Sequence, residues 1–265
     1  MVNDWSDALL SAEALTVAYD DVPVLTGLDL DIARGDFMII VGPNGCGKST
    51  LLKTLARVHQ PRSGRVLLDG LAVARLRGRQ VARRLSLLPQ GAVAPDGITV
   101  GELVARGRHP HHTLLRQWSA DDQRAIDAAL ARTHLTELAR TPVATLSGGQ
   151  RQRAWVAMVL AQDTEVILLD EPTTFLDIAH QYELLELLAE LNTEGRTIVA
   201  VLHDLNQAAR FASRLVVMCE GEIRGDGPPA EVLTSDLVQS VFGLGAEVIS
   251  DPQSGTPMVV PHVRR

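Results

Sequence analysis

FMIIVGPNGCGKST, residues 37–50, decides the architecture of this 265-residue chain. Its first five residues are all apolar, the mark of a strand buried on both faces, and the run stops at a glycine. LLKTLAR follows at 51–57 with helical character, so the order is strand, glycine-rich loop, helix. Gly42, Gly47, Lys48 and Ser49 fit the pattern G-x-x-x-x-G-K-[ST] in the context its chemistry needs. Glycines there let backbone amides converge on phosphate oxygens, and the helix start adds its positive end. Lys48 is placed to reach the β and γ phosphates of a nucleoside triphosphate, and Ser49 to offer its hydroxyl to Mg2+. The candidate contact segment is therefore Gly42, Pro43, Asn44, Gly45, Cys46, Gly47, Lys48, Ser49 and Thr50.

Upstream, residues 15–19 read as a short strand and 28–32 alternate apolar and acidic residues. Downstream, the texture turns helical from 98 to about 141, through GELVARG and DDQRAIDAALARTHL, where Asp121 and Asp122 suit a first turn. Then come LSGGQ opening a helix, VILLD as a buried strand, a helix over 179–191, TIVAVLH as a strand and a helix from Leu205. Strands alternating with helices predict an α/β fold with a mostly parallel sheet covered on both faces. One domain is expected, with an antiparallel N-terminal β region. Its core spans 12–97 and 164–243, an inserted α-helical subdomain spans 98–163, and the tail at 244–265 forms short strands or loop.

LSGGQRQRAWVAMVLAQ places Ser147 at a helix N-cap, with Gly148, Gly149 and Gln150 in the first turn and Arg151 and Arg153 close behind. It is a second helix start suited to an anion. VILLDEP then ends a strand in two adjacent acids, and Pro172 turns the chain so that both can face one site. Asp170 is the candidate ligand of Mg2+, directly or through water, and Glu171 the candidate base for an attacking water. His203 closes the strand TIVAVLH at the sheet edge where parallel sheets hold ligands.

A formal net charge of -7 argues against nucleic-acid binding by bulk electrostatics. Two cysteines, Cys46 and Cys219, make no disulfide framework or zinc-ligand spacing, which points to the interior of a cell. The start MVNDWSDALL lacks the basic and apolar regions of a signal peptide, and no stretch approaches the ~20 apolar residues of a membrane span. A membrane link would run through a partner.

With these motifs in this order, the chain resembles the ATP-binding subunits of ABC transporters. GPNGCGKST is similar to their Walker A, Gln90 in LLPQ to the Q-loop, LSGGQ to the signature, VILLDEP to Walker B, Asp177 in TFLD to the D-loop and His203 to the switch histidine. The resemblance implies that Tyr19 stacks on adenine, that Gln90 senses Mg2+ and faces the membrane partner, and that Glu171 is the base with His203 on the γ-phosphate. It also implies a head-to-tail dimer with another copy, in which the Ser147 helix of one subunit completes the ATP site around Lys48 of the other. RGRHPH, QRQRAWVAMVLAQ, TTFLDIAHQ and VLHDLNQAARFA look most like the subunits that drive ferric-siderophore import, with cobalamin and haem importers as close relatives. Transmembrane permease subunits, indirectly a substrate-binding protein, and a peripheral place on the cytoplasmic face of the membrane follow from it. Thr174 and Phe175 depart from the commoner Ser and Ala of the D-loop.

Other signals are blander. His109, His111 and His112 read as a solvated loop, and Arg75, Arg77, Arg79, Arg83 and Arg84 as a solvated face, with lipid or an acidic surface as the sharper alternative. A GTPase needs an Asn-Lys-x-Asp element, but both lysines, Lys48 and Lys53, lie in or just after the cradle. The rival function is a non-transport ABC ATPase working as a conformational clamp. Repair ATPases of that kind separate cradle and signature by a long coiled coil, for which the stretch from Lys48 to Ser147 leaves no room.

Overall fold

Two long strands, β1 (Ala8–Tyr19) and β2 (Val22–Ala33), precede the decisive stretch, which is built as β3 (Phe37–Val41), a loop and α1 (Lys48–Leu55). These bounds come from a computed structural model, which describes residues 8–112 and 118–262. Most of MVNDWSDALL, and 113–117 of the predicted insertion, lie outside the described residues. After α1 come β4 (Ser63–Leu68), β5 (Leu71–Ala72), α2 (Gly78–Ala82) and β6 (Leu85–Leu88). The helical stretch holds α3 (Val100–Ala105), α4 (Ala120–Arg132) and α5 (Gly148–Ala161). The chain then returns through β7 (Val166–Asp170), α6 (Ile178–Thr193), β8 (Thr197–Val201), α7 (Leu205–Phe211) and β9 (Arg214–Cys219). It ends in β10 (Glu222–Gly227), α8 (Pro229–Val232), α9 (Ser235–Phe242), β11 (Ala246–Ser250) and β12 (Pro257–Pro261).

A six-stranded sheet runs in the order β10-β9-β3-β8-β7-β6, parallel except for the edge pair β9–β10. Its central strands β3, β7 and β8 are buried along their whole length because each face has its own core. Phe37, Ile39, Ile167, Leu169, Ile198, Ala200, Leu215 and Val217 enter one core, shared with the helical stretch and α6. Their neighbours Met38, Ile40, Val166, Leu168, Val199, Val201, Val216 and Met218 enter the other, with α1 and the N-terminal strands. Strand alternation thus feeds both faces, and every buried aliphatic side chain contributes about 1.5–3 kcal/mol.

The antiparallel sheet β2-β1-β4-β5 covers the α1 side. Both N-terminal strands are longer than their apolar patterns showed, because β1 pairs on two edges, with β2 and with β4, and so carries backbone bonds beyond the alternating stretch. Asp20 and Asp21, both at positive φ, close the hairpin, as the twist of a two-residue turn requires. The tail is an antiparallel hairpin of β11 and β12. The basic run is only partly a free face. Arg84 pairs with Glu165 and Asp69, and Arg83 donates to the Pro110 carbonyl at 2.9 Å.

Candidate functional site

β3 delivers the chain to Gly42, where no side chain fits. A Cβ there would lie 2.1 Å from the Met218 carbonyl oxygen, and φ is 153°. Five residues on, Gly47 opens α1 at φ 102° without a side-chain cap, so no side chain occupies the first amides of the helix. Lys48 is buried and curls back along the loop, its Nζ donating to the carbonyls of Gly42 and Pro43 at 2.8 Å each. It therefore braces the loop as well as charging it. Cys46 Sγ lies 3.7 Å from that Nζ, yet burial pushes the thiol pKa up against the pull of Lys48. Cys46 is not poised as a thiolate.

Ser49 Oγ donates to Asp170 Oδ1 at 2.8 Å, joining the start of α1 to the end of β7. Asp170 is only 1% exposed, and its Oδ2 is buried with no hydrogen-bond partner among the described residues. Burial raises the Asp170 carboxyl above the usual range, opposed by the Ser49 hydrogen bond and helped by the Glu171 charge. An orphaned carboxylate oxygen beside a hydroxyl is the hard oxygen donor set that Mg2+ takes, so these residues fit that ion.

Glu171 follows in the left-handed region at φ 54°, a conformation that costs a residue of this kind about 1–3 kcal/mol. The turn begins at Glu171 itself, one residue before the proline. Glu171 Oε1 lies 2.8 Å from His203 Nε2, and Thr174 Oγ1 donates to Oε2 at 3.3 Å. His203 stands between β8 and α7, whose cap, Asp204, accepts the amides of Asn206 and Gln207 at 2.8 Å each. Acid and imidazole thus leave adjacent strand ends and meet over the loop.

The result is a cleft of about 480 Å³. Asn44, Gly45 and residues 47–50 form one wall; Gln90, Glu171 and His203 face them, with Val24 of β2 at the side. Gly42, Pro43 and Cys46 lie behind it and shape the loop. Tyr19 is not a lining residue; its half-exposed ring lies 4.6 Å from that of His59. The Ser147 segment is also elsewhere. There Ser147 Oγ accepts the Gln150 amide at 3.2 Å and Gln150 Oε1 accepts the Ser147 amide at 3.1 Å, with Ser147 and Gly148 exposed. Asp177 caps α6 by accepting the His180 amide at 3.0 Å, which holds its carboxyl below the usual range.

Sequence reasoning passed over Val24, the Thr174 hydroxyl and three glutamines, Gln152, Gln181 and Gln207, around the loop 171–177. Each glutamine stands inside a stretch already quoted, but nothing in the pattern tells which side it faces. His111 bonds the Gln162 carbonyl at 2.8 Å, and among the described residues no group of His, Cys, Asp or Glu is arranged to hold a metal.

The family model for ABC transporters matches residues 25–174, cradle to loop. The ferric enterobactin transport ATP-binding protein FepC of Escherichia coli (strain K12) is 53% identical over 97% of this chain and 95% of its own. Among solved structures, a chain of an inward-facing ABC transporter assigned to the metal-chelate type superposes with a TM-score of 0.82 at 30% identity, covering 97% of this chain and 98% of that one. A bacterial ABC transporter cassette solved as a dimer gives 0.75 at 28% identity, covering 83% and 98%. Matched over most of its length and carrying loop, acid pair and histidine around one cleft, this chain belongs to the ABC transporter family as an ATP-binding subunit.

Proposed function

We propose that this chain binds and hydrolyses ATP to drive uptake of a ferric siderophore through a separate membrane permease. The observation that carries the hydrolytic part is the 2.8 Å contact of Glu171 with His203 at the lip of the cleft, beside the orphaned oxygen of Asp170. Loop amides and Lys48 hold the phosphates, Glu171 orients and deprotonates the attacking water, and His203 faces the γ-phosphate. Magnesium, held by Ser49 and Asp170 with Gln90 nearby, would supply charge neutralisation between the phosphate oxygens. The siderophore part rests on the near-full-length similarity to the ferric enterobactin subunit.

The partner copy enters because the cleft of one chain lacks the Ser147 helix start, as the implied head-to-tail dimer requires. In it Ser147, Gly148, Gly149, Gln150 and Asp177 of one copy act on the nucleotide bound at Lys48 of the other, and Tyr19 stacks on the adenine. Among the described residues no helix is long and apolar enough to cross a membrane. In this reading the permease supplies the transport path and docks near Gln90 on the cytoplasmic side. A substrate-binding protein acts through the permease.

Glu171→Gln tests the assignment. ATP binding should persist while turnover falls by roughly 10²–10⁴, the usual share of a general base; turnover at the wild-type rate would remove Glu171 from the role. In vesicles holding the permease, ATP-driven accumulation of a ferric siderophore, with cobalamin and haem as competitors, tests the cargo. Accumulation of either competitor instead would replace the siderophore.

A further inference from the structure

Three glutamines outside the cleft converge on the loop 171–177. Gln152 of α5 donates from Nε2 to the Pro172 carbonyl at 2.9 Å. Gln181 of α6 donates to the Leu176 carbonyl at 3.1 Å and the Thr173 carbonyl at 3.4 Å. Gln207 of α7, only 6% exposed, donates to Gln181 Oε1 at 2.7 Å. The Gln207 amide in turn is held by Asp204, the neighbour of His203. A continuous path of hydrogen bonds thus runs from the His203 segment, through Gln207 and Gln181, to the backbone of the loop that begins with Glu171.

That loop needs holding. Glu171 and Phe175 both sit at positive φ, 54° and 69°, and strained backbone persists only where the surroundings fix it. Donors on three of its carbonyls supply the fixing; they come from two helices, α5 and α6, and Gln207 of a third, α7, holds the second donor in place. The loop also leans on the start of α5, since a Cβ on Gly148 would lie 3.5 Å from that of Phe175. Without the glutamines, the two segments would be joined only where β7 and β8 pair, as far as Asp170 and Val201, and buried amide groups would lose their partners.

We propose that Gln181 and Gln207 are positioning residues that tie the loop 171–177 to the His203 segment, so that Glu171 and His203 keep their 2.8 Å contact as one body. The proposal rests on the ATPase roles given above to Glu171 and His203. Neither glutamine lines the cleft, and both act through the backbone they hold.

Gln207→Leu, Gln181→Leu and the double variant, made in the full chain, break the same path at different links. Each single change should lower kcat about tenfold, with the KM for ATP within about twofold, because small misplacements of reacting groups are costly. The double variant should be no slower than the slower single, the non-additivity of two links in one path. Gln181→Glu keeps an acceptor for Gln207 but turns an acceptor toward the two loop carbonyls, so it should be as slow as Gln181→Leu despite its matching shape. Amide hydrogen exchange should quicken in 171–177 in Gln207→Leu while β3 and β8 stay protected. Wild-type kcat in the single variants, losses that multiply in the double, a KM effect alone, or exchange raised throughout the core would each overturn the proposal. Glu171→Gln run in parallel separates the two ideas. Full turnover in that variant counts against the ATPase reading, whereas turnover lost in Glu171→Gln but normal in the glutamine variants counts against positioning alone.

Discussion

The helices of the inserted region and the helix of the cradle begin in opposite ways. α3 starts with Thr99 and Glu102 bonding one another's amides, α4 with Ser119 and Asp122, and α5 with Ser147 and Gln150. Each is a reciprocal capping box that satisfies its own first turn. α1 starts on Gly47 with no side-chain cap. Unpaired helix amides concentrate positive potential at the N-terminus, so the uncapped start is the one shaped for a ligand anion. At α5 the side-chain caps already use two amides, so an anion arriving there competes with the protein's own groups.

The largest test of this contrast lies at α4, whose cap is also a buried ion pair. Arg108 Nε donates to Asp122 Oδ1 at 2.9 Å, and Arg108 Nη1 holds the Ala161 carbonyl at 2.8 Å. Asp122→Ala leaves a buried guanidinium uncompensated and should cost about 3–5 kcal/mol in denaturant unfolding, with ATP affinity unmoved in the folded fraction. Lys48→Ala should do the reverse. ATP affinity should fall by roughly 10- to 100-fold by calorimetry, the worth of a charge-assisted bond, and an unchanged affinity would break the cradle assignment.

A smaller effect appears in acid. Burial alone would raise the Asp122 pKa, but hydrogen bonds from Ser119 and the Arg108 guanidinium outweigh it and hold it at about 2. A carboxylate depressed below its unfolded value, ~3.9, stabilises the fold fully above that value. Its contribution, on the order of 2 kcal/mol, should drain away as the pH falls from about 4 toward 2. Asp122→Asn should flatten that part of the stability–pH curve; an unaltered curve would mean that the pair does not set it. The smallest change is Ser147→Ala, which should cost about 1 kcal/mol of stability while leaving the ATP affinity of a single chain intact. A drop in single-chain affinity would erase the distinction between the two helix starts.

The same contrast divides what could be read early from what could not. The cradle was legible because its chemistry is local. Glycine spacing, a preceding apolar run and a following helix all lie within Phe37–Leu55, and the family found by comparison is the family those motifs resembled. The inserted helices were legible in kind, yet Asp122 was read as a first-turn acid when it also closes a buried pair with Arg108. The extent of β1 was not legible, because its pairing with β4 depends on a strand far along the chain, and β2 lengthens with it as its partner.

By itself, the sequence determined the fold class, the order of the motifs and the residues that line the cleft, Val24 excepted. These follow from backbone preferences and hydrophobic periodicity, which act over a few residues. Only the tertiary structure decided that Asp170 keeps one carboxylate oxygen unpaired, that Glu171 turns through positive φ to reach His203, and that Gln207 reaches Gln181. Each of those facts is a meeting of side chains from different strands and helices, fixed by how the sheet and its two cores pack.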